Sequence, residues 1–414
     1  MQNGTGALRL FEGFGVELEY MVVSRDSLKV LPVVDELLRD VAGAYVNEAE
    51  TGPLVWSNEL VRHVVELKTN GPASSLPGIE GRFQSDIDRI NGLLAPRDAM
   101  LLPGGMHPFM NPARETHIWK RENKTIYNTY HRIFNCRTHG WANLQSVHLN
   151  LPFGDDDEFG RLHAAVRVVL PLLPVIAAGS PVMEGEVTGF HDTRLEVYRQ
   201  NQKLVPSIAG QVIPEAVFTE DEYQEKILEP MYRDISRYDP KGVLGYEWLN
   251  SRGAIARFDR NTIEIRLLDI QEYPFADCAV AAFTVAMIRA LTSERLSPYA
   301  VQRNMDTAML HELFLKTIRY GGSARVDTIP FLELFGWREG PCCAGDLMNH
   351  LYGVLRGDDA DLRYYDGPLS LILSRGPLAS RIIEALAADA SRGSIMQVYR
   401  ALAGCLYEGR PFLP

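Results

Sequence analysis

Apolar and polar residues alternate most regularly at Gly15-Val16-Glu17-Leu18-Glu19-Tyr20. Successive side chains of an extended strand point to opposite faces, so Glu17 and Glu19 share one face. Val16, Leu18 and Tyr20 share the other. Three later stretches carry the same two-sided pattern: Val64-Val65-Glu66-Leu67-Lys68, Val147-His148-Leu149-Asn150 and Thr262-Ile263-Glu264-Ile265-Arg266. Each is short and β-prone, with charged or ligand-type residues on one face and apolar residues on the other. Four such strands side by side predict a sheet with an acidic, metal-ready concave face and an apolar back.

Elsewhere the period is mainly helical. Val33, Val34, Leu37, Leu38 and Val41 predict a helix over 32–42, and longer helices are expected over 79–94 and 158–178. Residues 46–56 predict a strand or hairpin, and 100–108 a buried strand running into the loop Pro103-Gly104-Gly105-Met106-His107-Pro108. Two glycines there would let backbone approach a ligand closely. Residues 112–139 form a basic insert in which Arg114, Lys120, Arg121, Lys124, Arg132 and Arg137 interleave with Trp119, Tyr127 and Tyr130. An interaction surface, a lid over an anionic substrate and a solvated helix face all fit that pattern. The segment Gly189 to Arg194 leads into a helix. Trp248 to Phe258 leads through the turn Asp259-Arg260-Asn261 into the last patterned strand. Beyond about residue 274 helices are expected at 279–291, 308–320, 347–355, 379–388 and 395–407. The chain thus divides into a sheet-and-helix core, 1–275, and a helical C-terminal layer, 276–414, integral to the same domain.

Composition narrows the function. The 414 residues are 46% hydrophobic and 23% charged, as in a globular protein, and the net charge is −11. Nucleic acid is met by clustered Lys and Arg, so an excess of acids argues against that partner. The most apolar run, Ala164 to Val182, contains Arg167, Pro171, Pro174 and Pro181 and reads as a proline-broken core helix, not a membrane span. Met1 to Leu10 lacks the basic start and apolar run of a signal peptide. Five cysteines without C-x-x-C spacing suggest reduced thiols and a cytoplasmic location. Neither a P-loop nor a strand-coupled G-x-G-x-x-G is present.

The candidate ligands are Glu17, Glu19, Glu59, Glu66, His148 and Glu264. Five carboxylates and one imidazole exceed what a catalytic zinc takes and suit Mg²⁺ or Mn²⁺. Carboxylates crowded on one face repel unless cations neutralise them, so more than one ion is expected. Such clusters hold nucleoside triphosphates during phosphoryl transfer. Arg266 shares the face of Glu264 and can fork onto a transferred phosphate; Lys68 stands in the same relation to Glu66.

Several motifs, in order over about residues 13–275, resemble the glutamate–cysteine ligase type 2 (carboxylate–amine ligase) family. They are Gly15 to Tyr20, Val65-Glu66-Leu67-Lys68-Thr69, Gly105-Met106-His107-Pro108, Gln145-Ser146-Val147-His148, Ala178-Gly179-Ser180-Pro181, Gly189 to Arg194 and Thr262 to Arg266. The resemblance implies an α+β, glutamine synthetase-like fold with an antiparallel sheet funnel and packed helices. It implies amide formation driven by ATP through an acyl phosphate, with two or three Mg²⁺ or Mn²⁺ ions. Glu19, His148 and Glu264 would hold one ion and Glu17, Glu59 and Glu66 another. Arg266 would contact the transferring phosphate, Glu264 would serve the same chemistry, and Arg194 would suit a substrate carboxylate. Small-molecule carboxylate and amine substrates follow, with glutamate and cysteine as the default pair, and a homo-oligomer is compatible. A phosphotransferase on the same fold and a non-catalytic ATP- and metal-binding relative are the alternatives.

Overall fold

The computed structural model describes residues 7–246 and 249–414; Trp248, the first residue of the stretch leading to the last patterned strand, lies outside them, as do residues 1–6. Its strands are β1 (Gly15–Ser24), β2 (Glu48–Glu50), β3 (Leu54–Asn58), β4 (Val64–Thr69), β5 (Ala99–Leu102) and β6 (Ser146–Pro152), then the short pair β7 (Val182–Met183) and β8 (Glu186–Val187), then β9 (Ala254–Arg257) and β10 (Thr262–Asp269), and a second short pair, β11 (Arg325–Val326) and β12 (Cys342–Cys343). Eight form one antiparallel sheet in the order β2-β3-β4-β1-β6-β10-β9, with β5 pairing the far end of β1. The four patterned strands are therefore neighbours, β4-β1-β6-β10. Glu19 lies opposite Glu66, Glu17 opposite both Lys68 and His148, and Glu264 opposite Asn150. Directly opposed residues share a face, so one front face collects the charged set.

The back face is dry. Val16, Leu18, Tyr20, Leu67, Leu149 and Ile265 are fully buried in the main core. Helices Ile79–Leu94, Asp156–Val169 and Pro274–Thr292 contribute to the same core. Burying each such side chain is worth about 1.5–3 kcal/mol, which fixes the strand register: a one-residue slip would exchange carboxylates for this layer.

The expected helix over 158–178 is broken where its prolines fall. Helix Asp156–Val169 passes into a 3₁₀ turn, Leu170–Leu172, and a short helix, Leu173–Ala177. Residues Asp156–Ala177 and Pro274–Thr292 are long and apolar enough to cross a membrane, but both are buried within the protein. The expected strand or hairpin over 46–56 is the β2–β3 hairpin, and the strand beginning near residue 100 ends at Leu102. Helices Pro274–Thr292, Thr307–Tyr320, Ala344–Arg356, Leu378–Leu386 and Arg392–Glu408 answer to the C-terminal expectations.

One irregularity matters for function. Ile265 of β10 pairs with Leu149, but the next paired residue, Leu268, meets Val147, so three steps on β10 match two on β6. This β-bulge reverses the alternation. Glu264 and Arg266 face front before it, and Asp269, opposite Ser146, faces front after it.

Candidate active site

The front-face groups form a connected hydrogen-bond array. His148 Nδ1 lies 2.9 Å from Glu17 Oε2, and its Nε2 lies 3.1 Å from Ser146 Oγ and 3.8 Å from Glu19 Oε1. Asn150 Nδ2 donates to Glu17 Oε1 at 3.1 Å. Ser146 donates to Glu19 Oε2 from its backbone N–H at 2.7 Å and from Oγ at 2.8 Å. Ser57 Oγ donates to Glu66, and Lys68 Nζ stands 3.5 Å from Glu66 and 3.4 Å from Glu48. Glu59 reaches the array from the loop after β3. Two sets bring one donor atom per residue within 4.8 Å of each other: Glu17, Glu66 and His148, and Glu19, Glu59 and Glu66. Glu66 belongs to both sets, while Glu264 belongs to neither and is ion-paired with Arg266.

Crowding these groups in a buried place shifts their protonation. Burial and the charge of Glu19 raise the Glu59 carboxyl to about 7. Burial, with Glu17 and Glu59 close by, raises Glu66 well above the usual carboxylate range. Burial also works against ionised Glu17, but its hydrogen bond and charge pairing with His148 outweigh this and bring it down to about 2. For His148, burial favours the neutral ring, yet Glu17 and Glu19 overcome it and raise the imidazole to about 10. Two acids tend to keep their protons while the histidine holds a positive charge. Divalent cations would replace those protons, which is the electrostatic signature of a cation-binding cluster.

Two cavities meet at this array. The outer one, about 1000 Å³, is bordered by Glu17, Glu66, Lys68, Arg257, Arg260 and Glu264. The inner one, about 250 Å³, is bordered by Glu19, Tyr127, Tyr130, Trp141, Arg194 and Tyr198. Glu59, His148 and Arg266 border both, so these three stand at the junction. Arg266 pairs with Glu264 through Nη2, its Nε is buried without a hydrogen bond, and its charge is reinforced by Glu264 against the cost of burial.

Six of the nine sequence-derived residues thus surround one junction: Glu17, Glu19, Glu59, Glu66, His148 and Arg266; Lys68 lines the outer cavity. Glu264 sits beside it on the outer cavity. Arg194 borders the inner cavity, 2% exposed and paired with Asp269. The glycine-rich loop is placed differently from expectation. A Cβ on Gly105 would lie 2.3 Å from the carboxyl carbon of Asp269, so the close approach serves a buried side chain and not a ligand. In the basic insert, helix Lys124–Phe134 covers the inner cavity with Tyr127 and Tyr130, while Arg121 stacks on Tyr45 and Arg132 bonds the Tyr238 carbonyl. Tyrosines, not its cations, face the cavity.

Sequence reasoning missed Ser146, Ser57 and Asp269. Ser146 was legible, being two residues from His148 and therefore on its face. Asp269 was not: five residues from Glu264, it belongs to the apolar face by alternation, and only the bulge turns it forward.

The family model "Glutamate-cysteine ligase family 2 (GCS2)" matches residues 13–401. The chain belongs to this family. A protein of Archaeoglobus fulgidus shares 40% identity with this GCS2 chain over 283 residues, 68% of this chain and 75% of its own length. Among solved structures, the fold resembles glutamate–cysteine ligase from Francisella tularensis in complex with AMP, with TM-score 0.64 and 12% identity over 97% of this chain and 90% of that one. It also resembles a bifunctional glutathione synthetase from Pasteurella multocida, with TM-score 0.51 and 14% identity over 95% of this chain and 53% of that one. The fold class expected for this GCS2 protein, an antiparallel sheet with packed helices, is the one observed.

Proposed function

We propose that this GCS2 chain is a cytoplasmic, ATP-dependent carboxylate–amine ligase. It activates a small carboxylic acid, by default the γ-carboxylate of glutamate, and joins it to an amine such as cysteine. The observation that carries this reading is the junction: a hard-donor cluster and Arg266 stand where a large polar cavity meets a small aromatic-walled one. Transfer of a phosphoryl group between two bound molecules requires such an arrangement.

The donor set fits Mg²⁺ or Mn²⁺, because it offers carboxylate oxygens with one imidazole and no thiolate. Glu17, Glu66 and His148 would hold one ion and Glu19, Glu59 and Glu66 another, with Glu264 completing the set. Bound there, the ions would neutralise the triphosphate and the charge that develops on transfer. The residues of the chain do the rest. Lys68, with Arg257 and Arg260, lines the cavity in which the nucleotide phosphates bind. Arg266 meets the transferring phosphoryl group by its planar fork. Arg194 receives a carboxylate of the substrate in the inner cavity. Tyr127, Tyr130 and Trp141 exclude water from the acyl phosphate, whose hydrolysis would waste the ATP.

The test is ADP release with Mg²⁺ and ATP against amino acids offered singly and in pairs, with mass spectrometry of the product and Glu264→Ala as the inactive control. Glutamate-dependent turnover that rises with one amine, together with an amide product, is expected. Phosphorylated product without amide would replace the ligase by a phosphotransferase.

A further inference from the structure

Three of the sequence motifs converge away from the metal cluster, on one buried carboxylate. Asp269 is fully buried. Its Oδ1 accepts from Arg194 Nε, and its Oδ2 accepts from the Gly179 N–H and from Ser180 Oγ, each at 2.7 Å. Ser180 Oγ in turn accepts from the Arg194 N–H at 3.1 Å, so one hydroxyl ties the backbone of Arg194 to the acid that holds its side chain. Asp192 caps the same helix by accepting from the Leu195 N–H at 2.8 Å. Gly105 and Gly179 leave the space: a Cβ at Gly105 would lie 2.4 and 2.7 Å from the two Asp269 oxygens, and one at Gly179 would lie 3.0 Å from the Ile270 carbonyl.

The other end of the guanidinium is left open. Nη1 makes one long contact, 3.4 Å, with the backbone carbonyl of Arg266, and Nη2 is buried with no hydrogen bond. A buried donor without an acceptor is unfavourable. Arg194 borders the inner cavity, so a carboxylate seated there supplies the missing acceptor. Two fork atoms can meet two carboxylate oxygens only if the plane of the guanidinium is fixed. The bulge in β10, the two glycines and Ser180 together fix it.

We propose that Asp269 is the positioning residue for the substrate carboxylate, holding the Arg194 guanidinium at the wall of the inner cavity so that a carboxylate-bearing substrate docks in one orientation. This rests on the reading of Arg194 as the carboxylate anchor, and it predicts that disturbing Asp269 without removing any charge weakens substrate binding. Gly105→Ala does that, because the added methyl group must displace the Asp269 carboxylate while leaving both charged groups in place. Asp269→Asn removes the charge, and Ser180→Ala removes one of its donors.

The experiment measures L-glutamate and L-aspartate binding by calorimetry in the presence of Mg²⁺ and a non-hydrolysable ATP analogue. It also follows the Arg194 Nε–H resonance by NMR, assigned with Arg194→Lys. In the wild type that resonance shifts when the dicarboxylate is added. Gly105→Ala and Asp269→Asn weaken dicarboxylate binding roughly 10- to 100-fold, with nucleotide affinity unchanged, because a misplacement near 1 Å costs about that much. If Asp269→Asn fails to fold, Gly105→Ala and Ser180→Ala decide. Folded variants that bind the dicarboxylates as the wild type does would make Asp269 merely structural and overturn the proposal, as would a wild type that binds neither acid. A wild type that binds glutamate but never forms an amide would remove the ligase reading and leave the positioning role intact.

Discussion

His148 has a neighbour at each nitrogen, Glu17 at Nδ1 and Ser146 at Nε2, with Glu19 beyond. The ring is therefore protonated up to about pH 10 in the metal-free protein, against an ordinary value of 6.5. A ring nitrogen that carries a proton cannot ligate, so a cation must expel it. Titrating Mn²⁺ into metal-free protein at pH 7 is expected to release protons, and affinity is expected to rise with pH toward about 10. Calorimetry in two buffers of different ionisation enthalpy measures this, and a pH-independent affinity would refute it. The raised value also has a stability consequence. The contribution of the His148–Glu17 pair is fully present between about pH 4.5 and 6.5, and is lost as pH rises through about 10 at His148 or falls through about 2 at Glu17. At Arg266 the fork is the point. Arg266→Lys keeps the charge but not the planar pair of donors, so kcat falls by about 10²-fold or more while ATP binding changes little.

At the scale of elements, β10 carries more than its share. Its first half follows strict alternation and delivers Glu264 and Arg266 to the front; its bulge then delivers Asp269 to the same face. Asp269→Leu would leave buried Arg194 without its partner. Separating a buried pair in this way costs about 3–5 kcal/mol. Loss of the cooperative thermal transition, followed by circular dichroism, is the expected result; a wild-type-like melt would show that the pair is dispensable.

The whole molecule is closed by a second buried pair, Glu272 with Arg381, 0% and 1% exposed at the arginine and glutamate side chains. Arg381 Nη1 also donates to the Phe412 carbonyl at 2.8 Å, and the Phe412 N–H donates to Glu272 at 3.2 Å, so the sheet end, helix Leu378–Leu386 and the C-terminal tail share one knot. Arg381→Met would leave Glu272 buried and unpaired, lowering stability by about 3–5 kcal/mol, as denaturant unfolding would measure. On the acid side, burial lowers His63 and His107 to about 4 and His163 to about 3. The unfolded chain takes up protons at these rings below pH 6.5 and the folded one does not, so stability falls as pH drops from 6.5 through about 4. His163→Gln should flatten that slope in pH-dependent melting.

Much of this was legible in the chain. Period-two alternation located the four patterned strands and their front-face residues, because burying one face of a strand dictates the other. Helical period located the layers behind them, and the ordered motifs pointed to the GCS2 family. Alternation is local, however, and three things here are not. Which carboxylates lie within reach of one another depends on strand order and on the loop that carries Glu59. The place of Asp269 depends on one extra residue in β10, which hydrogen bonding to β6 reveals and composition does not. The glycines at 104 and 105 read as a loop made for a ligand, and only packing showed that Gly105 makes room for Asp269. The sequence by itself determined the faces; the tertiary structure decided which groups on those faces meet, since distance between strands is set by pairing and not by position along the chain.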